Sequence, residues 1–298
     1  VASIVMPAHN AERTIAEAVT ALLSQAVTRP VEVLIVDNMS TDRTQEIARS
    51  LSDGMERVHV LTASGEQGAA YARNVGVARA KAPLLIFVDA DDIVAPGWLT
   101  AYLSAASEEC LLAGPIDELT LARFPTWSAA SSPHRPPMTL RGQVYATTAN
   151  CAISHSLFTR LGGFESGFGG DVGEDVDLSW RVEALGIRVQ FVPDALVVKR
   201  PRQSRRELFS QWRSYAMSSS ALHQRHPERV RSGAGQSAWC PSARDNAREM
   251  ARCLRHPVDS QGVYIQLMAL VVGRFLAGVT PRRQPSHRAL GETGRERR

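Results

Sequence analysis

Three short acidic stretches carry the residues in this sequence that are best suited to chemistry. The first is Phe87-Val88-Asp89-Ala90-Asp91-Asp92, in which three carboxylates follow the apolar run Leu84–Val88. Acids this close repel one another, so a cation or hydrogen-bond donors must offset the cost, and hard divalent ions prefer oxygen ligands. A Mg²⁺ or Mn²⁺ diphosphate complex is the natural occupant of such a turn. The plain alternative is a solvated turn with Asp92 capping the next helix. The second stretch, Val36-Asp37-Asn38-Met39-Ser40-Thr41-Asp42, also ends an apolar run. Asp37 there can accept from a base N–H or a ribose hydroxyl, although turns of this composition are also common helix entries. The third is Gly173-Glu174-Asp175-Val176-Asp177-Leu178-Ser179-Trp180-Arg181. It puts Glu174 and Asp175 at a helix start, with Asp177 and Arg181 four apart and able to pair. A first-turn carboxylate serves the helix dipole in any case, and becomes a base only where it faces a substrate pocket.

The elements that must position these acids alternate along the chain. Ser3–Met6, Val31–Val36, Arg57–Leu61 and Leu84–Val88 read as strands separated by segments of helical spacing. This pattern implies an α/β fold, with a mostly parallel sheet flanked by helices on both faces. In such sheets ligands bind at the carboxyl ends of the strands, where Asp37 and Asp89 fall. Asn10 is expected to cap a helix running to about Ala26, Ser40 or Thr41 to cap the next, and Pro96-Gly97-Trp98 to open another. The proline-rich Leu119–Gly142 stretch reads as a long loop of the kind used for lids. After it come a strand over Thr147–Ile153, a short helix from His155, turns at Gly162-Gly163 and the helix near Glu174. A basic helix is expected over 204–226, with further helices at Ser242–Arg255 and Val258–Val279. The apolar window Val263–Val279 contains Gln266 and Arg274 and is short for spanning a bilayer, which takes ~20 apolar residues. It reads as a packed helix, with an interfacial helix as the alternative.

With 298 residues, 44% of them hydrophobic, the chain can bury a sizeable core, and disorder as its dominant state is excluded. Four scattered cysteines with no C-x-x-C pair indicate neither a zinc knuckle nor a disulfide framework, and a reducing compartment fits. Ala2–Met6 reads as a strand, not a secretion signal. The net charge of +4 hides an asymmetry, with residues 1–199 near −8 and 200–298 near +12. The acidic part suits a bound cation. The basic part suits an anionic surface such as lipid or a phosphorylated acceptor, or is simply a solvated arginine-rich face. The absence of an interleaved aromatic pattern argues against a nucleic-acid partner.

Taken in order, several stretches resemble family 2 glycosyltransferases. They are Pro7-Ala8-His9-Asn10, Asp37 to Asp42, Gly68-Ala69-Ala70-Tyr71-Ala72-Arg73-Asn74, Asp89-Ala90-Asp91-Asp92, Pro96-Gly97-Trp98-Leu99 and Glu174-Asp175-Val176-Asp177-Leu178 with Trp180-Arg181. The likeness covers roughly the first two hundred residues. It implies a GT-A fold, Rossmann-like, over residues 1–203; beyond it the sequence itself reads as a basic helical extension over 204–280, facing membrane or acceptor, and a disordered tail over 281–298. It implies an inverting transfer from a nucleotide-diphosphate sugar, with UDP favoured, to an acceptor hydroxyl. It places Pro7, Ala8 and Asp37 around the base and ribose, Asp89 toward the ribose, Asp91 on a Mg²⁺ or Mn²⁺ ion with Asp89 beside it, and Arg73 near the nucleotide or diphosphate. The pair Glu174-Asp175 would be catalytic, with Asp175 the general base. A cytoplasmic protein, at the inner face of the membrane if the extension touches lipid, fits this reading.

One departure separates the chain from many relatives, which carry a histidine where this sequence reads Val197-Val198-Lys199-Arg200. A protonated lysine does not ligate a cation. Either Asp91, phosphate oxygens and water hold the metal, or Lys199 and Arg200 replace part of its charge. His223 and His226 read as surface residues, and His9 as a structural or solvent-facing histidine. Rival readings are a retaining transferase, a nucleotidyltransferase, which would want a glycine-rich phosphate loop after the first strand, and a degenerate fold kept as a binding or scaffold protein.

Overall fold

The computed structural model describes residues 1–25, 30–117, 136, 144–166, 168, 173–200 and 205–227. In chain order its first elements are β1 (Ala2–Ala8), α1 (Ile15–Leu23), β2 (Val31–Asp37), α2 (Thr44–Ser52), β3 (Val58–Thr62), α3 (Ala69–Val77) and β4 (Leu84–Val88). Then follow β5 (Ile93–Val94), α4 (Trp98–Ala105), β6 (Leu111–Ala113), β7 (Ile116–Asp117), β8 (Asn150–Ser154) and α5 (His155–Arg160). The last are α6 (Glu174–Ala184), β9 (Val189–Phe191), β10 (Val197–Val198) and α7 (Arg205–Arg225). The expected loop over Leu119–Gly142, apart from Pro136, and the expected helices at Ser242–Arg255 and Val258–Val279 lie outside the described residues, as does the tail. Among the described residues no helix is long and apolar enough to cross a membrane.

Seven strands form one sheet in the order β3-β2-β1-β4-β8-β6-β9, and β5, β10 and β7 form a small second sheet. Strands β1 to β4 pair in parallel, and so do β6 and β9, while β8 runs antiparallel between β4 and β6. Alternation along the strands feeds two cores, one on each face of the sheet. Ile4, Met6, Val33, Ile35, Leu84, Ile86 and Val88 bury on one face, with Ile15, Leu22, Trp98 and Tyr102 over them. Val5, Leu34, Val36, Leu85 and Phe87 bury on the other, beneath Val77, Phe158, Phe164 and Leu178. Both faces are therefore dry, which is why these strands read as nearly continuous apolar runs. Helix α3 lies close on the sheet because Gly76 lacks a side chain: a Cβ there would stand 2.5 Å from Val5 Cγ1 and 3.0 Å from Val36 Cγ2. This approach sets the depth of Arg73 and Asn74 one turn earlier.

Local departures from expectation have physical causes. Asn10 does not cap α1. It adopts a left-handed backbone (φ 50°), and its Oδ1 accepts from Thr41 N at 2.8 Å while its own N donates to Ser40 Oγ at 3.0 Å. The residue expected to end one loop instead ties two loops together, and Thr14 stands at the helix start. Neither Ser40 nor Thr41 caps α2; Asp42 Oδ1 accepts from Thr44 N at 3.0 Å. The strand expected from Thr147 begins only at Asn150, because Asn150 N closes a turn on Thr147 O at 2.9 Å.

Asn150 joins the two sheets. Its Oδ1 accepts from Trp98 Nε1 and Tyr102 Oη, both at 2.8 Å, and its Nδ2 donates to Pro115 O and Ala195 O, both at 2.7 Å. All four bonds are buried, so truncation leaves two donors and the Ala195 carbonyl without these partners, while Pro115 O keeps the Val197 amide at 3.1 Å. Asn150→Ala is expected to lower unfolding stability by roughly 3 kcal/mol, at ~1–3 kcal/mol for each stranded group. Urea denaturation monitored by tryptophan fluorescence reads this directly, and a loss under about 0.5 kcal/mol would refute the joining role.

Candidate active site

Parallel pairing brings the first two nucleotide-facing candidates to one edge. In the β1–β2 register Pro7 lies opposite Val36 and Ala8 opposite Asp37. All of Pro7, Ala8 and Asp37 are buried at the carboxyl ends of their strands. Asp37 Oδ1 has no hydrogen-bond partner among the described residues. A buried acceptor left unpaired costs about 1–3 kcal/mol, so it suits a ligand that brings an N–H or O–H. The neighbouring loop is fixed by Asn38, whose Nδ2 donates to Ala63 O (2.7 Å) and Glu66 O (2.8 Å) and whose Oδ1 accepts from Gly68 N (2.8 Å). Asn38 O in turn meets His9 Nδ1 at 2.7 Å, and His9 is otherwise exposed.

Arg73 stands between the two larger acidic stretches. Its Nη2 donates to Asp89 Oδ1 at 2.6 Å and its Nη1 to Glu174 Oε1 at 2.8 Å, with the side chain only 3% exposed. Two carboxylates from opposite ends of the domain thus share one guanidinium, whose planar fork suits that task. Burial disfavours the Arg73 charge, but Asp89 and Glu174 outweigh it and raise its pKa further. The arginine pairs with acids from both stretches. It is held by its own helix and by Asn74, which exchanges two bonds with the Phe164 backbone (2.7 and 3.0 Å). Phe164 packs edge-on against Phe87 and Phe158, so the floor beneath the ion pairs is aromatic.

Glu174 and Asp175 open α6 after Gly173, whose backbone is left-handed (φ 103°) and whose missing side chain leaves room for Ser218 and Leu222 of α7. Glu174 Oε1 also accepts from Thr148 Oγ1 at 3.2 Å. Burial first, and then Asp175 beside it, push Glu174 up to about 7, against the pull of Arg73. Asp175 is likewise raised by burial, against the amide of Val176 (2.8 Å), Arg73 and the Thr147 hydroxyl. Thr147 and Thr148 were not singled out in the sequence; their only signal is a pair of hydroxyls at the end of an otherwise apolar run. The turn that delays β8 aims both at the acids.

Asp89, Asp91 and Asp92 place carboxylate oxygens within 4.8 Å of one another. Lys199 lies among them, with Nζ 3.6 Å from Asp89 and 3.5 Å from Asp92. Asp92 is fully buried and also accepts from Arg200 N at 3.2 Å. Burial raises Asp92 to about 8, and Asp91 and Asp89 add to the rise while Lys199 opposes it. Burial works against the Lys199 charge, but Asp92, Asp89 and Asp91 together raise its pKa well above the ordinary value.

Asp177 does pair with Arg181, at 2.7 Å, and it has a second partner just beyond the end of α7. His226 Nε2 meets Asp177 Oδ1 at 2.8 Å and its ring stands edge-on to Trp180. His226 is therefore not a surface histidine: an acid on α6 and a histidine 49 residues later hold the described part of the extension against α6. Asp177 falls below the ordinary carboxylate range: burial opposes this, and His226 and Arg181 outweigh it.

Residues 3–165 match the model of the family described as Glycosyl transferase family 2, and residues 133–279 that of Glycosyl transferase family group 2. Among curated proteins, the pre-mycofactocin glycosyltransferase of Mycobacterium tuberculosis is 28% identical over 258 residues, covering 80% of this chain and 51% of that protein. The chain spans about half or less of the length of the curated relatives it matches. Among solved structures, the mannosyltransferase PcManGT from Pyrobaculum calidifontis, in complex with GDP-Man and Mn²⁺, superposes with TM-score 0.63 at 18% identity, covering 92% of this chain and 86% of that one. S. aureus TarS 1-349, in complex with UDP-GlcNAc, gives 0.53 at 16% identity over 92% and 90%. Both likenesses show a shared fold, the GT-A arrangement of a mostly parallel sheet between helices.

Proposed function

Because the chain belongs to glycosyl transferase family 2, we propose that it transfers a sugar from a nucleotide-diphosphate donor to an acceptor hydroxyl with inversion at the anomeric carbon. One observation carries this reading: the Arg73 guanidinium joins the Asp89 turn to the Glu174 helix, so acids 85 residues apart in sequence meet at the strand ends. Asp175, next to Glu174, is the base. Its carboxylate takes the proton of the acceptor hydroxyl as that oxygen bonds to the anomeric carbon, while the bond to the diphosphate breaks and the nucleotide leaves with the electron pair. Glu174 is spent on Arg73 and Thr148 and positions its neighbour. Asp37, Pro7 and Ala8 form the base and ribose end of the site, with Asp89 toward the ribose. Residues 1–203 make up the catalytic unit, and 204–280 an extension facing acceptor or membrane.

The donor set fits a divalent cation, since the acidic turn offers carboxyl oxygens from three aspartates within 4.8 Å of one another. Asp91, with Asp89 beside it, would hold the ion. A bound Mg²⁺ or Mn²⁺ supplies positive charge to the departing diphosphate. The structural relatives carry GDP-Man with Mn²⁺ in one case and UDP-GlcNAc in another, so the fold alone does not set the base; UDP is favoured by the sequence likeness.

The test is a thermal-shift screen of UDP, GDP, ADP, CDP and TDP with and without Mn²⁺, followed by the anomeric configuration of the product. Bound ligand raises stability as its concentration exceeds Kd, so one diphosphate should stand out and Mn²⁺ should strengthen it. Asp91→Asn is expected to remove most of the Mn²⁺-dependent part, with a loss of about tenfold or more in donor affinity in the presence of metal. An unchanged metal response would take Asp91 out of the ligand role, and a retained anomeric configuration would sink the inverting mechanism.

A further inference from the structure

One stripe of α7 runs along the start of α6. Ser218 and Leu222, both buried, stand against Gly173, where a Cβ would lie 3.3 Å from Ser218 Cβ and 3.4 Å from Leu222 Cδ1. One residue past the end of α7, His226 N still donates to Leu222 O at 2.9 Å, so its ring continues the same helical face at a spacing of four. From there Nε2 meets Asp177 Oδ1 at 2.8 Å, and the ring packs edge-on against Trp180, three residues further along α6. Asp177 lies below the ordinary carboxylate range and is ionised at neutral pH, so Nε2 carries the hydrogen and donates it. Arg225 reaches Glu165 at 2.5 Å and the Phe168 ring at 5.7 Å, which grips the chain before Gly173 as well as after it. Leu222 also packs in a small core with Tyr145, Phe168, Val176 and Trp180, apart from the two cores of the sheet.

Asp175 stands two residues before Asp177, about 200° round the helix from it. The face backed by α7 is therefore turned away from that carboxylate, and α7 acts on it through the backbone of α6. Asp177 N donates to Gly173 O at 3.0 Å, closing the first turn, so a shift of either residue is passed to Glu174, Asp175 and Val176 between them. Arg73 and Thr148 hold the same turn through Glu174. We propose that α7 is a second hold on it: His226 and Leu222 are positioning residues that fix the start of α6 and thereby aim Asp175 at the acceptor oxygen. The aim rests on the base assignment above; the hold stands on the packing alone.

His226→Ala, His226→Gln and Leu222→Ala in the full chain separate this role from general support. Hydrogen exchange reads the hold: in both Ala variants the amides of residues 177–182 should exchange about tenfold faster, while those of β4 keep their rate. Turnover is read as release of UDP from UDP-glucose or of GDP from GDP-mannose in Mn²⁺, whichever the unaltered protein hydrolyses, with water in the acceptor's place. It should fall about 10- to 100-fold in both Ala variants, as a misplaced reacting group predicts, with the donor KM within about threefold. His226→Gln, whose Nε2 can still donate to Asp177, should recover most of both losses. In the Asp175→Asn background His226→Ala should cost less than about threefold further, since the group it aims no longer takes a proton. Unchanged exchange in α6 would overturn the hold, and unchanged kcat, or a loss confined to donor KM, would overturn the aim. Full turnover in Asp175→Asn, or an unaltered protein that hydrolyses neither donor, would bring down the reading of the site and the aim with it, while exchange still decides the hold.

Discussion

Asp175→Asn should lower turnover by about 10³-fold while changing donor affinity by no more than about threefold, in keeping with the 10²- to 10⁴-fold worth of a positioned base. The asparagine is nearly isosteric, and its Oδ1 can keep the Val176 amide bond seen at 2.8 Å, so the helix start is preserved. What it loses is the ability to take a proton. Donor affinity is expected to survive because the residues placed around the nucleotide, Asp37, Asp89 and Asp91, come from other elements. The pH profile gives an independent reading. A base works only when deprotonated, and burial raises Asp175 above its ordinary value, so the acid limb of kcat should lie above the usual carboxylate range. Glu174, pushed to about 7, titrates beside it, so that limb belongs to the pair and not to one residue. In Asp175→Asn the limb should flatten. Loss of donor binding by tenfold or more would give Asp175 a different task, and an unaltered acid limb would move the base elsewhere.

Much of the scaffold was legible because it is encoded locally. The parallel strands announce themselves as apolar runs, and Leu84–Val88 ends where its run ends. The acids of the candidate site were legible too, because each follows a strand or opens a helix and needs only that element to be recognised. The pairings between elements were not visible in the sequence. No pattern within the chain couples Arg73 to Glu174, 101 residues away, or sets Lys199 against Asp92, 107 away; both depend on the sheet order and on the register of a two-residue strand. The antiparallel insertion of β8 is of the same kind, since a short apolar run carries no mark of direction. His226 was misread for a related reason: a histidine in a basic helical stretch looks solvated until the helix is packed on Asp177. Asn10 failed as a cap because its side chain found a better partner in Thr41, supplied by the next crossover. Local chemistry thus fixes which groups are available, and topology decides which of them meet.

That distinction makes Arg73→Met the most informative stability measurement. The substitution keeps an unbranched apolar stem of similar reach over Phe164 but removes the charge shared by Asp89 and Glu174. Removing one partner of a buried ion pair leaves an uncompensated charge and typically costs 3–5 kcal/mol, so a loss approaching about 4 kcal/mol is expected once the pH exceeds the Glu174 value of about 7. The pH dependence carries the sign. Without the guanidinium, Glu174 rises further above its present value of about 7, so the folded variant keeps a proton that the unfolded chain releases. Between the unfolded and folded pKa values the folded state binds more protons, and stability therefore falls as pH rises. The deficit of Arg73→Met relative to the unaltered protein should consequently stay small up to about pH 7 and grow above it. Arg73→Lys should recover only part of it, because a point charge cannot serve two carboxylates in the plane of one fork. In the double variant Arg73→Met with Glu174→Gln, one stranded charge is gone and much of the stability should return, yet turnover should remain low, since Asp89 and Asp175 have lost the group that sets their spacing. Urea denaturation across pH, paired with turnover on each variant, separates these outcomes. A deficit below about 1 kcal/mol that does not vary with pH would mean that the two acidic stretches do not depend on Arg73 to stay together, and the single active site built on that contact would fail with it.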